Sequence, residues 1–378
     1  MLNVVKVSDY RIFQGQKDAW EGLLSRTKDN NIFMSYEWID SCIRHFCNSD
    51  KLLVLNVFND KRLIGIAPLI IRRYKNYGFP MRSVCFIGTE MSDRMDFIID
   101  GDRENVVALI MGYLVKMRKD WDAIDLREIS EDTGTMKIVK EWVEKKKIKT
   151  ILGTPKKSFF IGFNENRELL LQKFSKRFKK KFRYINNKLT NLKLDFEGCV
   201  ENNGRKDKLF SDMCLIEEKS WKGRAGLGIF SKEVKRNFHM EIFERFSRNK
   251  WVNVSILILN EKPIAYTYNY LYCQTLYSYN HAFDETYSDI SPGTMLMLWT
   301  LKDFTSRDIS EFDFVKGEES YKARFTNSFR MHHQIRIFNN RFYPKFLYYL
   351  QKKLIPYMKK NKVFRRVCIK VKEILKCN

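Results

Sequence analysis

Leu276–Arg324 reads LYSYNHAFDETYSDISPGTMLMLWTLKDFTSRDISEFDFVKGEESYKAR, and its grammar is strand, polar loop, buried helix, strand, polar cluster. Ser291 suits an N-cap, and Pro292 suits the first helical position, where a missing N–H costs nothing. Gly293 keeps the backbone approachable. The helix that follows, MLMLWTLKDF, is apolar nearly all round and is expected to be buried. A buried helix with an open start presents free N–H groups and a positive dipole end, which suits a pyrophosphate. Ser291, Pro292, Gly293 and Thr294 are therefore the candidate anion-holding residues.

Working outward, the same order of elements occurs twice. SILIL-NEK-PIAYTYNYLY is strand, Asn-acidic turn, strand, and so is LNVF-NDKR-LIGIAPLII. The helix Pro292 to Thr305 with strand SEFDFVKGE answers a helix Glu104 to Lys119 with strand DAIDLREI. Two copies of one α/β module are implied. The helix start in the first copy, DGDRENV, is acidic and would repel a phosphate, so only the second copy is suited to a phosphorylated ligand. The first half also carries a strand from Met1 to about Phe13 and helices at Asp18–Leu24 and Ser35–Phe46, with Ser35 as N-cap. Strands SVCFIG and MDFIID follow, then a helix from Thr135 to Lys147 and a strand at Lys149–Leu152. The expected fold class is α/β with a mixed sheet, as two tandem modules side by side. The expected boundaries are 1–165 (first module), 166–204 (basic helical connector), 205–340 (second module) and 341–378 (basic helical tail).

Lys and Arg outnumber Asp and Glu by 69 to 45, a formal charge of +24. That bears on partners rather than fold and favours nucleic acid, an acidic membrane face or a phosphorylated ligand. The eight cysteines show no CxxC pair and no framework spacing, which argues against zinc and against a disulfide scaffold. No secretory leader and no membrane-spanning run is visible, so the expected location is cytoplasmic or peripheral to the inner face of the membrane. Lys173–Lys188 reads as a basic helix, either a polyanion patch or a solvated connector. YPKFLYYLQKKLIPYMKKNKVFRRVCIKVKEILK holds one acid, Glu373. It reads as two amphipathic helices broken at Pro356, able to lie on an anionic membrane.

The pieces Trp221, EKPIAY, LYSYNHAFDETYSDISPGTML and FDFVKGEESYKARF, in that order over Phe210–Phe338, resemble the GNAT-type acyltransferase domain of the CelD-like group. That group is akin to the FemAB-like transferases, and the first half, with FMSYEWIDSCIRHF, looks like the N-terminal part of the same proteins. The resemblance implies two GNAT-like folds and an acyl-CoA donor, with no metal. A sugar or amino-sugar acceptor in envelope or exopolysaccharide synthesis is implied by resemblance alone. FemAB-like relatives use aminoacyl-tRNA instead and often carry a long helical hairpin, for which 164–219 is short. A non-catalytic membrane-associated binding protein is the third alternative.

Acyl transfer needs a base, an oxyanion site and an acid for the leaving group. His281, after LYSYN, is the base candidate at an ordinary pKa, with Asp284 to orient it or act itself. Tyr321 is the acid candidate. Asp313, Lys316, Glu318 and Lys322 follow the last strand as substrate ligands, with Lys322 facing phosphate or an anionic acceptor. Trp221 is the candidate for stacking on a sugar or acyl group. His332 and His333 lack further ligand spacing and read as structural.

Overall fold

The computed structural model describes residues 1–163, 180, 183–184, 194–198, 206–305, 309–317 and 319–360. The first half runs β1 (Leu2–Val7), α1 (Tyr10–Gln14), α2 (Lys17–Leu24), α3 (Tyr36–Phe46), β2 (Lys51–Asn59), β3 (Arg62–Asn76) and β4 (Phe79–Phe86). It continues through β5 (Ile98–Ile99), α4 (Arg103–Lys116), β6 (Ala123–Ser130), α5 (Thr135–Lys145), β7 (Thr150–Leu152) and β8 (Lys156–Gly162). The second half runs β9 (Leu194–Gly198), α6 (Lys206–Lys219), α7 (Trp221–Arg224), α8 (Glu233–Arg248), β10 (Val252–Leu259), β11 (Lys262–Tyr272) and β12 (Thr275–Phe283). Then come α9 (Pro292–Thr305), β13 (Glu311–Lys316), β14 (Phe329–Phe338), α10 (Phe342–Tyr349) and α11 (Ile355–Lys360).

All the described strands join one mixed sheet, ordered β1-β2-β3-β4-β6-β14-β8-β13-β12-β11-β10-β9, with β5 and β7 at its side. Read inward from either edge, the two halves have the same plan. Three antiparallel neighbours lead to a parallel pair, β4 with β6 or β12 with β13, reached through a crossover helix. Each half then takes its last strand from the other. β14, late in the chain, pairs with β6, and β8, from the first half, pairs with β13. The two exchanged strands meet antiparallel, Phe329 opposite Phe159 and His332 opposite Lys156.

The halves also share a core. Ser35 caps α3 as expected, its side chain accepting from the Trp38 N–H. α3 packs on its counterpart α8. The Trp38 ring meets Phe238 edge-on at 5.2 Å and stacks on Phe246. Arg245 reaches Asp40 at 2.7 Å, and Glu241 takes Ser41, Arg44 and His45. Burying aromatic pairs of this kind adds about 0.5–1.5 kcal/mol each beyond their area. α9 buries Met295 to Leu298, Leu301 and Phe304, as its all-apolar sequence requires.

Three local expectations change, and two strands are new. The first strand ends at Val7 instead of Phe13, because Asp9 caps α1 by accepting from the N–H groups of Arg11 and Ile12. The strand read at MDFIID is reduced to the two residues of β5. Strands β8 and β14 were not legible. Pro356 does not split the tail into two helices: α10 runs through a π-turn, Leu350–Leu354, into α11. The wider turn leaves room for the proline ring against the preceding carbonyls. The basic segment 173–188, apart from residues 180, 183 and 184, and the tail beyond residue 360 lie outside the described residues. No helix among the described residues is long and apolar enough to cross a membrane.

Candidate active site

The parallel pairing of β12 with β13 ends at Tyr277 and Asp313. Beyond it both strands continue, and a cleft of about 220 Å³ opens beside Ser278–His281 of β12 and Phe314–Lys316 of β13. Glu319, Tyr321 and Lys322 close one side, Lys222 and Ile229 another. The third side comes from the first half: Glu90, Met91 and Asp93, on the loop after β4. That loop is held at its root. Gly88 has φ +75°, and a Cβ there would lie 2.5 Å from Cys42 Sγ. Its carbonyl accepts from the Met91 and Ser92 N–H groups, and Ser92 Oγ accepts from Trp38 Nε1 at 2.8 Å. Tyr279 OH donates to the Met91 carbonyl at 3.1 Å.

Asp93 is the main titratable residue of the cleft that sequence reading missed. Burial pushes its pKa up to about 6, with Lys316 pulling the other way. Lys316 Nζ donates to the Ser92 carbonyl at 3.0 Å and lies 3.3 Å from Asp93 and 3.4 Å from Glu128. A carboxyl tuned to that range in a cleft is suited to taking a proton near neutrality. The signal available in the sequence was positional: the polar loop TEMSDRMD follows a strand at the place where the second copy carries its own polar loop.

His281 and Tyr321 come together, their rings edge-to-face at 5.1 Å. The imidazole does not have the ordinary pKa expected of it. Burial first, then Lys222 and Lys322, push it down to about 3, so it stays neutral. Tyr321 is driven far up, chiefly by burial and then by Glu319, so it keeps its proton. Asp284 does not turn to His281. It caps the turn Glu285–Ile290, accepting from the N–H and Oγ of Thr286, and sits 3.7 Å from Lys219.

Lys322 is buried and spans the turn, donating to the carbonyls of Val315 and Lys316 and pairing with Glu319 at 2.9 Å. Asp313 points away from the cleft lining into a charge cluster, 3.4 Å from Arg94 and 3.3 Å from Arg330, and accepts from Ser158 Oγ. Trp221 is 54% exposed. Its neighbour Lys222 enters the cleft instead, donating to Asn280 Oδ1 at 3.1 Å, and burial lowers its pKa. Glu318 lies outside the described residues.

Behind Lys222 stands Glu217, fully buried. It accepts from the Phe230 N–H at 2.7 Å, from Asn280 Nδ2 at 2.9 Å and from Tyr266 OH at 3.0 Å. Gly228 is required here by space alone, since a Cβ would fall 2.4 Å from Glu217 Oε2. Gly228→Ala is expected to cost about 1–3 kcal/mol by overpacking, read as a lower denaturation midpoint with an unchanged slope. A midpoint equal to wild type would remove the constraint.

At the start of α9, Ser291 has φ +53°. The N–H groups of Thr294 and Met295 turn back to its carbonyl, and Pro292 has no N–H. A Cβ on Gly293 would touch the Phe283 ring at 3.1 Å, so the first helical turn sits against the end of β12. With Thr294 and Met295 turned back, the first turn offers a narrower anion cradle than an open helix start, centred on the Gly293 N–H. No group of His, Cys, Asp and Glu among the described residues is arranged to hold a metal.

Residues 176–323 match the family described as Acetyltransferase (GNAT) domain. That stretch, from the second half of the chain, is similar to a GNAT acetyltransferase domain. The match supports an acyltransferase, and the fold around it is one mixed α/β sheet made of two halves with the same plan. Among solved structures, FemX is 9% identical over 87% of this chain and 96% of its own, with a TM-score of 0.57. A conserved protein of unknown function from Bacteroides thetaiotaomicron is 12% identical over 89% and 100%, at 0.55. The L-PGS of Bacillus licheniformis is 11% identical over 86% and 92%, at 0.52. At these identities the likeness is one of fold. No curated protein matches the sequence.

Proposed function

We propose that the cleft between β12 and β13 moves an activated acyl group onto an amine or hydroxyl, with Asp93 as general base. The observation that carries this is a carboxyl from the first half, raised to about 6 by burial, that lines the same cleft as His281 and Tyr321 of the second half. Asp93 takes the proton of the attacking N–H or O–H as the new bond to the acyl carbon forms. In this scheme the Lys316 and Lys222 ammonium groups, which line the same cleft, stabilise negative charge gathering on the acyl oxygen. As the carbon–sulfur or carbon–oxygen bond of the donor breaks, Tyr321 gives its proton to the leaving group. Neutral His281 orients the Tyr321 ring by packing and is a positioning residue in this scheme. The acceptor class suggested by the CelD-like resemblance is a sugar or amino sugar of an envelope or exopolysaccharide.

The donor has two readings. An acyl-CoA fits the GNAT domain match, with Ser291, Pro292, Gly293 and Thr294 beside its pyrophosphate. An aminoacyl-tRNA is favoured by the narrow cradle at Gly293 and by the basic run at 173–188. Thermal unfolding of the full chain separates them. Acetyl-CoA or a longer acyl-CoA at about 100 times its Kd should add ~2.7 kcal/mol to the native state. No shift with any acyl-CoA, together with a shift on charged but not uncharged tRNA, selects the second donor. No shift with either class would sink both.

A further inference from the structure

Residues 341–360 read RFYPKFLYYLQKKLIPYMKK, without one carboxylate. α10 buries Pro344 and Leu347, and Leu350 follows them, against Met81, Ala123 and Phe338. Its other side is open. Phe342 is 91% exposed, and Phe346, Tyr349, Leu354 and Tyr357 are exposed with it. The spacing of 342, 346 and 349 is that of one helix face. The tip of the β3–β4 hairpin extends the same surface. Exposed Phe79 meets Phe346 ring to ring at 5.3 Å, beside exposed Tyr77, and Tyr343 OH donates to the Pro80 carbonyl at 2.6 Å.

The rim is cationic. Arg73, Lys75, Arg82 and Arg341 line an adjoining groove of about 640 Å³. Its acid, Asp122, is already taken by Arg82, through Nε at 3.1 Å and Nη2 at 2.9 Å. Lys149 lies over the Tyr349 ring at 4.1 Å, and Lys352 and Lys353 stand over Tyr348 and Tyr349.

We infer that this face, α10 with the β3–β4 hairpin tip, docks onto an anionic phospholipid surface. Rings that carry no hydrogen-bonding group, as Phe79, Phe342 and Phe346, insert at headgroup level, while Lys and Arg meet the phosphates. A protein partner is the poorer fit, because protein interfaces are depleted in lysine. The cleft stays clear of the lipid. Ala123 lies beneath α10 and Glu128 beside Lys316, so the two places are separated by five residues of β6, roughly 17 Å.

The test uses the full chain, so residues 361–378 are present throughout. Sedimentation with phosphatidylglycerol–phosphatidylcholine vesicles at low salt is compared with vesicles of phosphatidylcholine alone. Expected results are at least about tenfold stronger partitioning to the anionic vesicles and a further loss of about tenfold in the triple variant Phe79→Ser, Phe342→Ser, Phe346→Ser. Lys345→Glu with Lys352→Glu should give a similar loss and a weaker salt dependence, and serves if the triple variant misfolds by circular dichroism. Equal binding by wild type and both variants overturns the inference. So does equal binding to neutral and anionic vesicles, or capture of single-stranded RNA without vesicle binding. None of these readouts depends on the acyl-transfer reading.

Discussion

Asp93→Asn lowers kcat/KM by about 10²–10⁴-fold, the usual contribution of a positioned general base, and leaves the fold intact. Wild-type activity should rise with pH up to about 6 and level off above it, because the carboxyl acts only when ionised and its pKa is raised to that region. The variant should lose that limb. Stability should move the opposite way. The folded pKa lies above the unfolded value of 3.8, so the native state binds the proton more tightly between those two pH values. Asp93 therefore favours folding below about 3.8, and that benefit is lost as pH rises through about 6. At neutral pH the ionised group costs the fold on the order of 3 kcal/mol. Removing the charge should leave the unfolding midpoint at pH 7 unchanged or higher. An Asp93→Asn enzyme with wild-type kcat/KM and an intact acid limb would take the base assignment away. A variant that is inactive because it is unfolded would show itself in the midpoint.

Arg330→Ala should destabilise the chain by about 3–5 kcal/mol, the cost of leaving buried charge unpaired, and lower the thermal midpoint by roughly 5 °C. Arg330 is nearly fully buried on β14. Its guanidinium pairs with Glu311, lies 3.3 Å from Asp313 and from Asp132, and covers the Phe160 ring at 4.2 Å. Those partners belong to β13, to β8 and to the turn after β6, so one side chain ties both exchanged strands to both halves. Arg330→Lys keeps a charge but loses the planar fork and the ring contact, and it should recover only part of the loss. An alanine variant within about 0.5 kcal/mol of wild type, the range for an ordinary surface change, would show that the seam is held by the strand ladders alone.

The duplicated plan was legible because turns and caps are local. Asp60, Asn260 and Glu261 all have positive φ, and the Asn-acidic pairs announce those turns in sequence. Ser35 and the apolar run of α9 are equally local. β14 was hidden because its first inward residues, Arg330 and His332, are polar, and a bulge between His333 and Ile335 changes the phase, so that Ile335 and Ile337 become the buried ones and break the alternation. Its charges find their partners on distant strands, Asp125 for Arg336 at 2.6 Å and Asp313 for Arg330. No hydrophobic pattern records such pairings. The site divided in the same way. His281, Tyr321, Lys316 and Lys322 lie within one stretch of the second half and were found together. Asp93 comes from the other half and reaches the cleft only because β4 and its loop are carried there by the shared core. Trp221 drew attention by residue type, while the neighbour that lines the cleft, Lys222, carried no motif.

The exchange of β8 and β14 also sets the order in which this chain is able to fold as it is made. The first half cannot close its sheet when its own residues leave the ribosome, because β14, the strand that covers β6, is synthesised about 200 residues later. Pairings so distant in sequence form slowly, since loop closure precedes any reward. Through that interval β6 is an open edge, the usual starting point for aggregation. It carries Asp125, Arg127 and Glu128. The carboxylates that later receive Arg336 and Lys316 first serve as edge charges that discourage the wrong neighbour.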